Sequence, residues 1–248
     1  MELGLSGKRA AVAASSGGLG FGIAAALAAE GAEVVVNGRD ATRAEAAAAR
    51  IGATAVVGDV GTVDGAVAFV AGAMDALGGI DVLVTNAGGP PAGNAAAFED
   101  DIEQYRRALE LNCLSVIAMC NAAVPGMRER GWGRVVAITS SSVRQPMPHL
   151  VLSNTARAGA TGFLKTLAGE AAPHGVTVNS LQPGLHDTDR LRSLYGDDTS
   201  GAGALVPTGV IGDAADFGAL AAFLCSDHAR FVTGAAIPVD GGASGGLQ

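Results

Sequence analysis

The strongest constraint in this sequence is a regular alternation of two patterns. Short runs that are apolar almost throughout, such as Glu33–Asn37 (EVVVN), Asp81–Thr85 (DVLVT) and Arg134–Thr139 (RVVAIT), are separated by longer alanine-rich stretches of helical character. Strands without polar alternation belong in a parallel sheet covered on both faces. Parallel neighbours need crossover helices, which return right-handed. The alternation therefore predicts an α/β doubly wound sheet, with residues 1–248 as one domain. Strands are expected at Arg9–Ala14, Glu33–Asn37, Ala55–Val57, Asp81–Thr85, Arg134–Thr139, Val176–Leu181 and Ala235–Val239. Helices are expected at Gly18–Glu30, Ala41–Arg50, Val63–Leu77, Ile102–Met127, Asn154–Ala172 and Asp213–Ser226. The polar, glycine-rich stretch Gly196–Gly209 reads as a mobile loop, and 185–209 as either a substrate lid or a variable surface loop.

Composition excludes several classes of function. Lys plus Arg is 16 against 24 for Asp plus Glu, a net charge of −8, so a nucleic-acid phosphate backbone would be repelled. No purely apolar run approaches the roughly 20 residues that span a bilayer. The start, MELGLSGKR, lacks the basic flank and apolar stretch of a signal peptide. Cys113, Cys120 and Cys225 have neither CxxC nor zinc-ligand spacing, so they read as reduced packing thiols in a cytoplasmic protein without a metal. The chain holds only two tyrosines, Tyr105 and Tyr195, and two lysines, Lys8 and Lys165. Chemistry that needs a phenol or a primary amine has few residues to draw on.

Between the first strand and first helix stands Ala14-Ser15-Ser16-Gly17-Gly18-Leu19-Gly20. Glycines in such a turn let the backbone approach a diphosphate lying at a helix N-terminus. The strict GxGxxG pattern fails, because Ile23 occupies the third glycine position. The wider pattern resembles the short-chain dehydrogenase/reductase family, whose turn reads TGxxxGxG. Gly18 and Gly20 match it, and Ala14 replaces the family's first glycine. Asp59-Val60 resembles the adenine-contacting pair after strand three, and Asn86-Ala87-Gly88 the NAG motif after strand four. Asn112, Ser140 and Pro183-Gly184 with Thr188 match the helix asparagine, the strand-five serine and the PG loop; the ending TGAAIPVDGG resembles the family's tail. The resemblance implies a Rossmann-type fold with about seven strands in the order 3-2-1-4-5-6-7. It also implies a nicotinamide nucleotide held by Ser15, Ser16, Gly18, Leu19, Gly20, Asp59, Val60, Asn86, Ala87, Gly88, Pro183, Gly184 and Thr188. At the end of strand two the family's ribose-binding carboxylate is replaced by Gly38, and Arg39 follows. A guanidinium suits a 2′-phosphate, so NADP(H) is expected in preference to NAD(H).

The family's chemistry uses an Asn, a Ser, and a Tyr and Lys four residues apart. Here the tyrosine position is Ser153, 13 residues after Ser140, and the lysine position is Arg157. The expected catalytic group is thus Asn112, Ser140, Ser153 and Arg157, with Arg157 also on the nicotinamide ribose. A positioned general acid contributes about 10²–10⁴-fold, and a serine hydroxyl is a far weaker acid than a phenol. His149, His186 and Tyr195 are the candidate substitutes. The sequence thus points to an NADP(H)-dependent oxidoreductase resembling 3-oxoacyl reductases and acting on a carbonyl or alcohol. The alternatives are a non-redox isomerase, cyclase or lyase, or a silent nucleotide-binding protein. Substrate walls are expected from Gly89–Ala97, Arg144–Leu150 and Leu185–Gly209, with Arg144 a solvated loop residue or a holder of an acid group. By resemblance, a homotetramer or homodimer is expected.

Overall fold

The computed structural model describes residues 1–196 and 201–246, without the side chain of Tyr195. Seven parallel strands form one sheet in the order β3-β2-β1-β4-β5-β6-β7. They are β1 (Arg9–Val12), β2 (Glu33–Gly38), β3 (Thr54–Val57), β4 (Val82–Thr85), β5 (Gly133–Ile138), β6 (Val176–Pro183) and β7 (Ala236–Val239). The expected order and the two-sided burial are both present. The order reverses between β1 and β4, and at such a switch point the loops leaving the strand ends diverge and open a crevice.

Helices α1 (Gly18–Ala29), α2 (Ala41–Ile51) and α3 (Val63–Leu77) follow the first three strands. One sheet face is covered by α3, α5 (Ser115–Arg130) and α6 (Val151–Ala171), through Phe69, Met119, Met127, Leu164 and Leu167. The other is covered by α1 and α8 (Ala214–Cys225), through Ile23, Leu27, Phe217 and Leu224.

Three differences from the sequence expectation bear on the site. The predicted helix 102–127 is α4 (Ile102–Leu109) and α5 joined by one π-helical turn at Glu110–Leu114, which contains Asn112. By length and composition the joined Ile102–Arg130 helix could cross a membrane, but half of its apolar window is buried in protein. Its residues Met119, Cys120 and Met127 are fully buried against the sheet, as in a core helix. Helix α6 starts at Val151 rather than Asn154, placing Ser153 inside its first turn. The stretch read as a lid contains α7 (Asp189–Tyr195), capped by Thr188, and a 3-10 turn at Ala202–Leu205. Ala202 and Val206 are buried, so this part of the segment packs on the body; residues 197–200 of the expected loop lie outside the described residues.

Candidate active site

The turn after β1 is built around Asn37, a fully buried residue at the end of β2. Its Oδ1 accepts from the Ala14 amide at 3.0 Å, and its Nδ2 donates to the carbonyls of Val56 and Gly58. Its own carbonyl accepts from the amides of Ser15 and Ser16. One side chain therefore joins β1, β2 and β3 beneath the turn. Nothing in the sequence pattern marked it except a polar residue ending an apolar strand. Asn86 fixes the turn from the other side, donating to the Ala14 carbonyl at 3.1 Å. Ala14 has φ 45°, the one non-glycine residue in the left-handed region among the described residues. The backbone thus keeps the conformation that the family's glycine would adopt without strain.

Ser15 corrects the expectation of a cofactor contact. Its hydroxyl donates to the Val12 carbonyl and accepts from the Asn37 amide, and its own amide donates to the Asn37 carbonyl. It is a buried strut. Leu19 and Val60 turn their side chains into the core, so any cofactor contact at these positions falls to the backbone.

The N-terminus of α1 differs from those of its neighbours. Helices α2, α3, α7 and α8 are capped by the side chains of Asp40, Thr62, Thr188 and Asp213. Gly17 supplies no side-chain cap to α1, and no acidic residue lies in its first turn. The orphan N–H groups and the positive end of the helix dipole are left to an anion. Gly20 permits the tight return, since a Cβ there would lie 2.5 Å from the Ala14 carbonyl oxygen. A dinucleotide diphosphate fits this end.

At the adenosine end Gly38 carries no carboxylate, and a Cβ there would sit 2.8 Å from Ser16 Oγ, so a larger residue would have to displace Ser16. The carboxylate of Asp40 is engaged as a cap, accepting from the Arg43 amide. The exposed Arg39 lies 3.8 Å from the exposed Asp59, which also accepts from the Gly61 amide. Arg43, which sequence reading missed, brings Nη2 within 3.4 Å of Asp189 and reaches over Gly17. Its helical position, one turn after Arg39, was the available signal.

Past the turn, Asn112 donates from Nδ2 to the Gly88 carbonyl at 2.9 Å, while its buried Oδ1 has no partner among the described residues. A π turn is a frequent device for re-aiming a side chain at a functional site. Gly88 is exposed and Ala87 half-buried. At the end of β5, Ser140 Oγ accepts from the Ser142 amide, which leaves its proton to donate elsewhere. Ser153 is buried, and its hydroxyl has no hydrogen-bond partner among the described residues. One turn later Arg157 donates from Nη1 to the Ile138 carbonyl at 2.9 Å. Its guanidinium is pushed down to about 10 by burial and then by the positive charge of Arg190, so it stays cationic at neutral pH. Arg190 donates to the Pro90 carbonyl at 2.9 Å and lies against Gly89. The loop of Pro183 and Gly184 leaves β6 and brings the Thr188 methyl against Gly18, closing over the turn.

Of the substitute acids, His186 is contradicted by the geometry. Its ring packs edge-on to Phe217 at 5.1 Å and against Gly212, with Nδ1 facing the Gly184 carbonyl. Phe217 belongs to the α1/α8 face, opposite α6 and Ser153. Burial lowers the pKa of His186, favouring the neutral ring. His149 is exposed at the cleft mouth, its carbonyl accepting from the Gly93 amide. The side chain of Tyr195 lies outside the described residues. Arg144 is neither solvated nor free for an acid group; it donates to Gln182 Oε1 and the Ala236 carbonyl. All three cysteines are buried and unpaired, and burial pushes the Cys120 and Cys225 thiols up to about 12.

Comparison with known proteins agrees with this arrangement. A family model described as enoyl-(acyl carrier protein) reductase matches residues 13–244. The 3-oxoacyl-[acyl-carrier-protein] reductase FabG of Escherichia coli is 33% identical over 97% of this chain and 98% of its own. The structure of L-sorbose reductase from Gluconobacter frateurii, complexed with NADPH and L-sorbose, superposes with a TM-score of 0.90 at 30% identity over the whole of both chains. A 7α-hydroxysteroid dehydrogenase complexed with NADH and a 7-oxo bile acid gives 0.90 at 29% identity, covering 100% of this chain and 98% of that one. With the sheet order, the uncapped diphosphate turn and a match along nearly its full length, the chain belongs to the short-chain dehydrogenase/reductase family of oxidoreductases.

Proposed function

We propose that the protein is an NADP(H)-dependent oxidoreductase that interconverts a carbonyl and an alcohol without the phenol–amine pair usual in its family. The observation that carries this reading is the convergence of Ser140, Ser153 and Arg157 at the carboxyl end of β5, beside the uncapped turn. The nicotinamide supplies or accepts the hydride. Ser140, with its proton free, donates to the carbonyl oxygen and orients it. Arg157 holds ribose hydroxyls and places positive charge where the oxygen becomes anionic. Asn112 Oδ1, buried and unpartnered, anchors a proton path toward solvent past Ser153. Of the substitute acids, His149 can turn inward from the cleft mouth. Its replacement by Ala should lower turnover while leaving NADPH affinity intact; unchanged turnover would remove His149 from the scheme.

The adenosine end favours the phosphorylated nucleotide. Gly38 brings no carboxylate, and Arg39 beside Asp59 and Arg43 over Gly17 present two guanidinium groups at this end. The neighbouring structures include both an NADPH and an NADH complex, so the preference rests on these side chains. Comparing NADPH and NADH binding by fluorescence tests it, and tighter NADH binding would overturn it. We place the protein in the cytoplasm as a homotetramer or homodimer. The exposed apolar residues Val67, Leu114 and Phe231 support assembly, which light scattering on the eluting protein would check.

A further inference from the structure

Helix α7 begins against the nucleotide turn, and an ion pair ties it to α2 on the other side. Its N-cap, Thr188, packs on Gly18, where a Cβ would stand 3.5 Å from the threonine methyl. Arg43, in the first turn of α2, reaches over Gly17, where a Cβ would lie 3.5 Å from its Nη2. The same Nη2 is 3.4 Å from the carboxylate of Asp189, the first residue of α7. One guanidinium therefore reaches from α2 to α7 past the helix end whose amides have no side-chain cap. Its side chain is 61% exposed and that of Asp189 82%, so the pair is weak and readily exchanged. Asp189 has a second cation at hand. Arg192 brings Nη1 to 3.4 Å from it, while its Nη2 holds Asp187. Arg43 can thus leave without stranding the carboxylate.

We propose that Asp189 is a specificity-determining residue: it is the resting counter-ion of Arg43 and competes with the 2′-phosphate of NADP(H) for that guanidinium. A phosphate monoester offers about two negative charges and three acceptor oxygens, against one charge on Asp189. Arg43 therefore changes partner on binding, and Arg192 keeps the carboxylate. The competition lowers affinity for the phosphorylated nucleotide alone, because NAD(H) lacks the group for which Arg43 would leave Asp189. Asp59 faces Arg39 in the same way, at 3.8 Å, but it also holds the Gly61 amide and stands at the expected adenine-contacting position. Asp189 is the carboxylate whose removal reports competition by itself. Its role rests on the NADP(H) preference assigned above.

The test is fluorescence titration of the full-length protein with NADPH and with NADH at low ionic strength, in wild type, Asp189→Asn, Arg43→Ala and the double variant. Asp189→Asn should bind NADPH about two- to fivefold more tightly, the change in affinity that an exposed ion pair carries, and NADH as the wild type does. In the Arg43→Ala background the same substitution should change nothing, since the contested guanidinium is gone. Added salt should shrink the gain. Circular dichroism should show all three variants folded. Unchanged or weaker NADPH binding by Asp189→Asn, or a gain that persists without Arg43, would overturn the competition. An equal gain for NADH would also overturn it, placing Arg43 on the diphosphate common to both nucleotides. Wild-type protein that prefers NADH would remove the NADP(H) reading, while a gain in NADPH affinity that requires Arg43 would still uphold the competition.

Discussion

Asn37 Oδ1 accepts the Ala14 amide at 3.0 Å and holds Ala14 at φ 45°, a backbone conformation that an L side chain opposes. The left-handed region costs a non-glycine residue about 1–2 kcal/mol. Glycine at this site would remove that strain and give back about 0.4–1 kcal/mol through a looser unfolded chain. Ala14→Gly should therefore stabilise the protein by about 0.5–1 kcal/mol, read as a higher denaturation midpoint at constant slope. Asn37→Ala should cost about 2 kcal/mol or more by leaving several buried groups unpaired. A destabilised Ala14→Gly variant would show that the turn is not strained as described.

At the adenosine end, Arg39→Ala and Arg43→Ala together should weaken NADPH binding about 10–100-fold and leave NADH binding within about twofold. Fluorescence titration at two salt concentrations checks this. Both arginines are exposed, so the wild-type preference should shrink as salt rises.

Arg157 sets function against stability. Its desolvated guanidinium is pushed down to about 10, and replacing such a charge by an apolar group of similar reach is often stabilising. Arg157→Met should raise the melting temperature and lower NADPH affinity in the same protein. A fall in both would mean that the guanidinium holds the fold together.

The buried His186 links stability to acid pH. Its pKa is lowered from 6.5 on folding, chiefly by burial, so the unfolded chain binds the proton first. The stabilisation contributed by the neutral ring is fully present above about pH 6.5 and declines as pH falls through the lowered folded value. Melting curves between pH 7 and 5 should slope downward, and His186→Gln should flatten that slope.

Much of the nucleotide end was legible in the sequence, because glycines and short polar motifs there answer backbone requirements that recur along the chain. The doubly wound parallel sheet followed from unbroken apolar strands, and its strand order from the family resemblance. Three-dimensional pairing was not legible. Asn37 looked like a strand residue, yet it carries the turn through contacts to three strands. His186 and Arg144 looked available because a linear reading cannot show Phe217 or Gln182 taking them up. Arg190 stood in what read as a loop, and only the helix that begins at Asp189 turns it toward Pro90. The expected first turn of α6 was displaced by three residues, which left Ser153 outside the helix that carries Arg157.

The central claim is that hydride chemistry survives at a site where serine and arginine replace tyrosine and lysine. Absorbance at 340 nm tests it most directly, with NADPH, purified protein and a panel of aldehydes, ketones and oxo acids. The account predicts substrate-dependent loss of NADPH, matched by formation of the corresponding alcohol, at rates about 10²–10⁴-fold below those of a site with a positioned phenolic acid. NADPH that binds but is consumed with no member of the panel would contradict it.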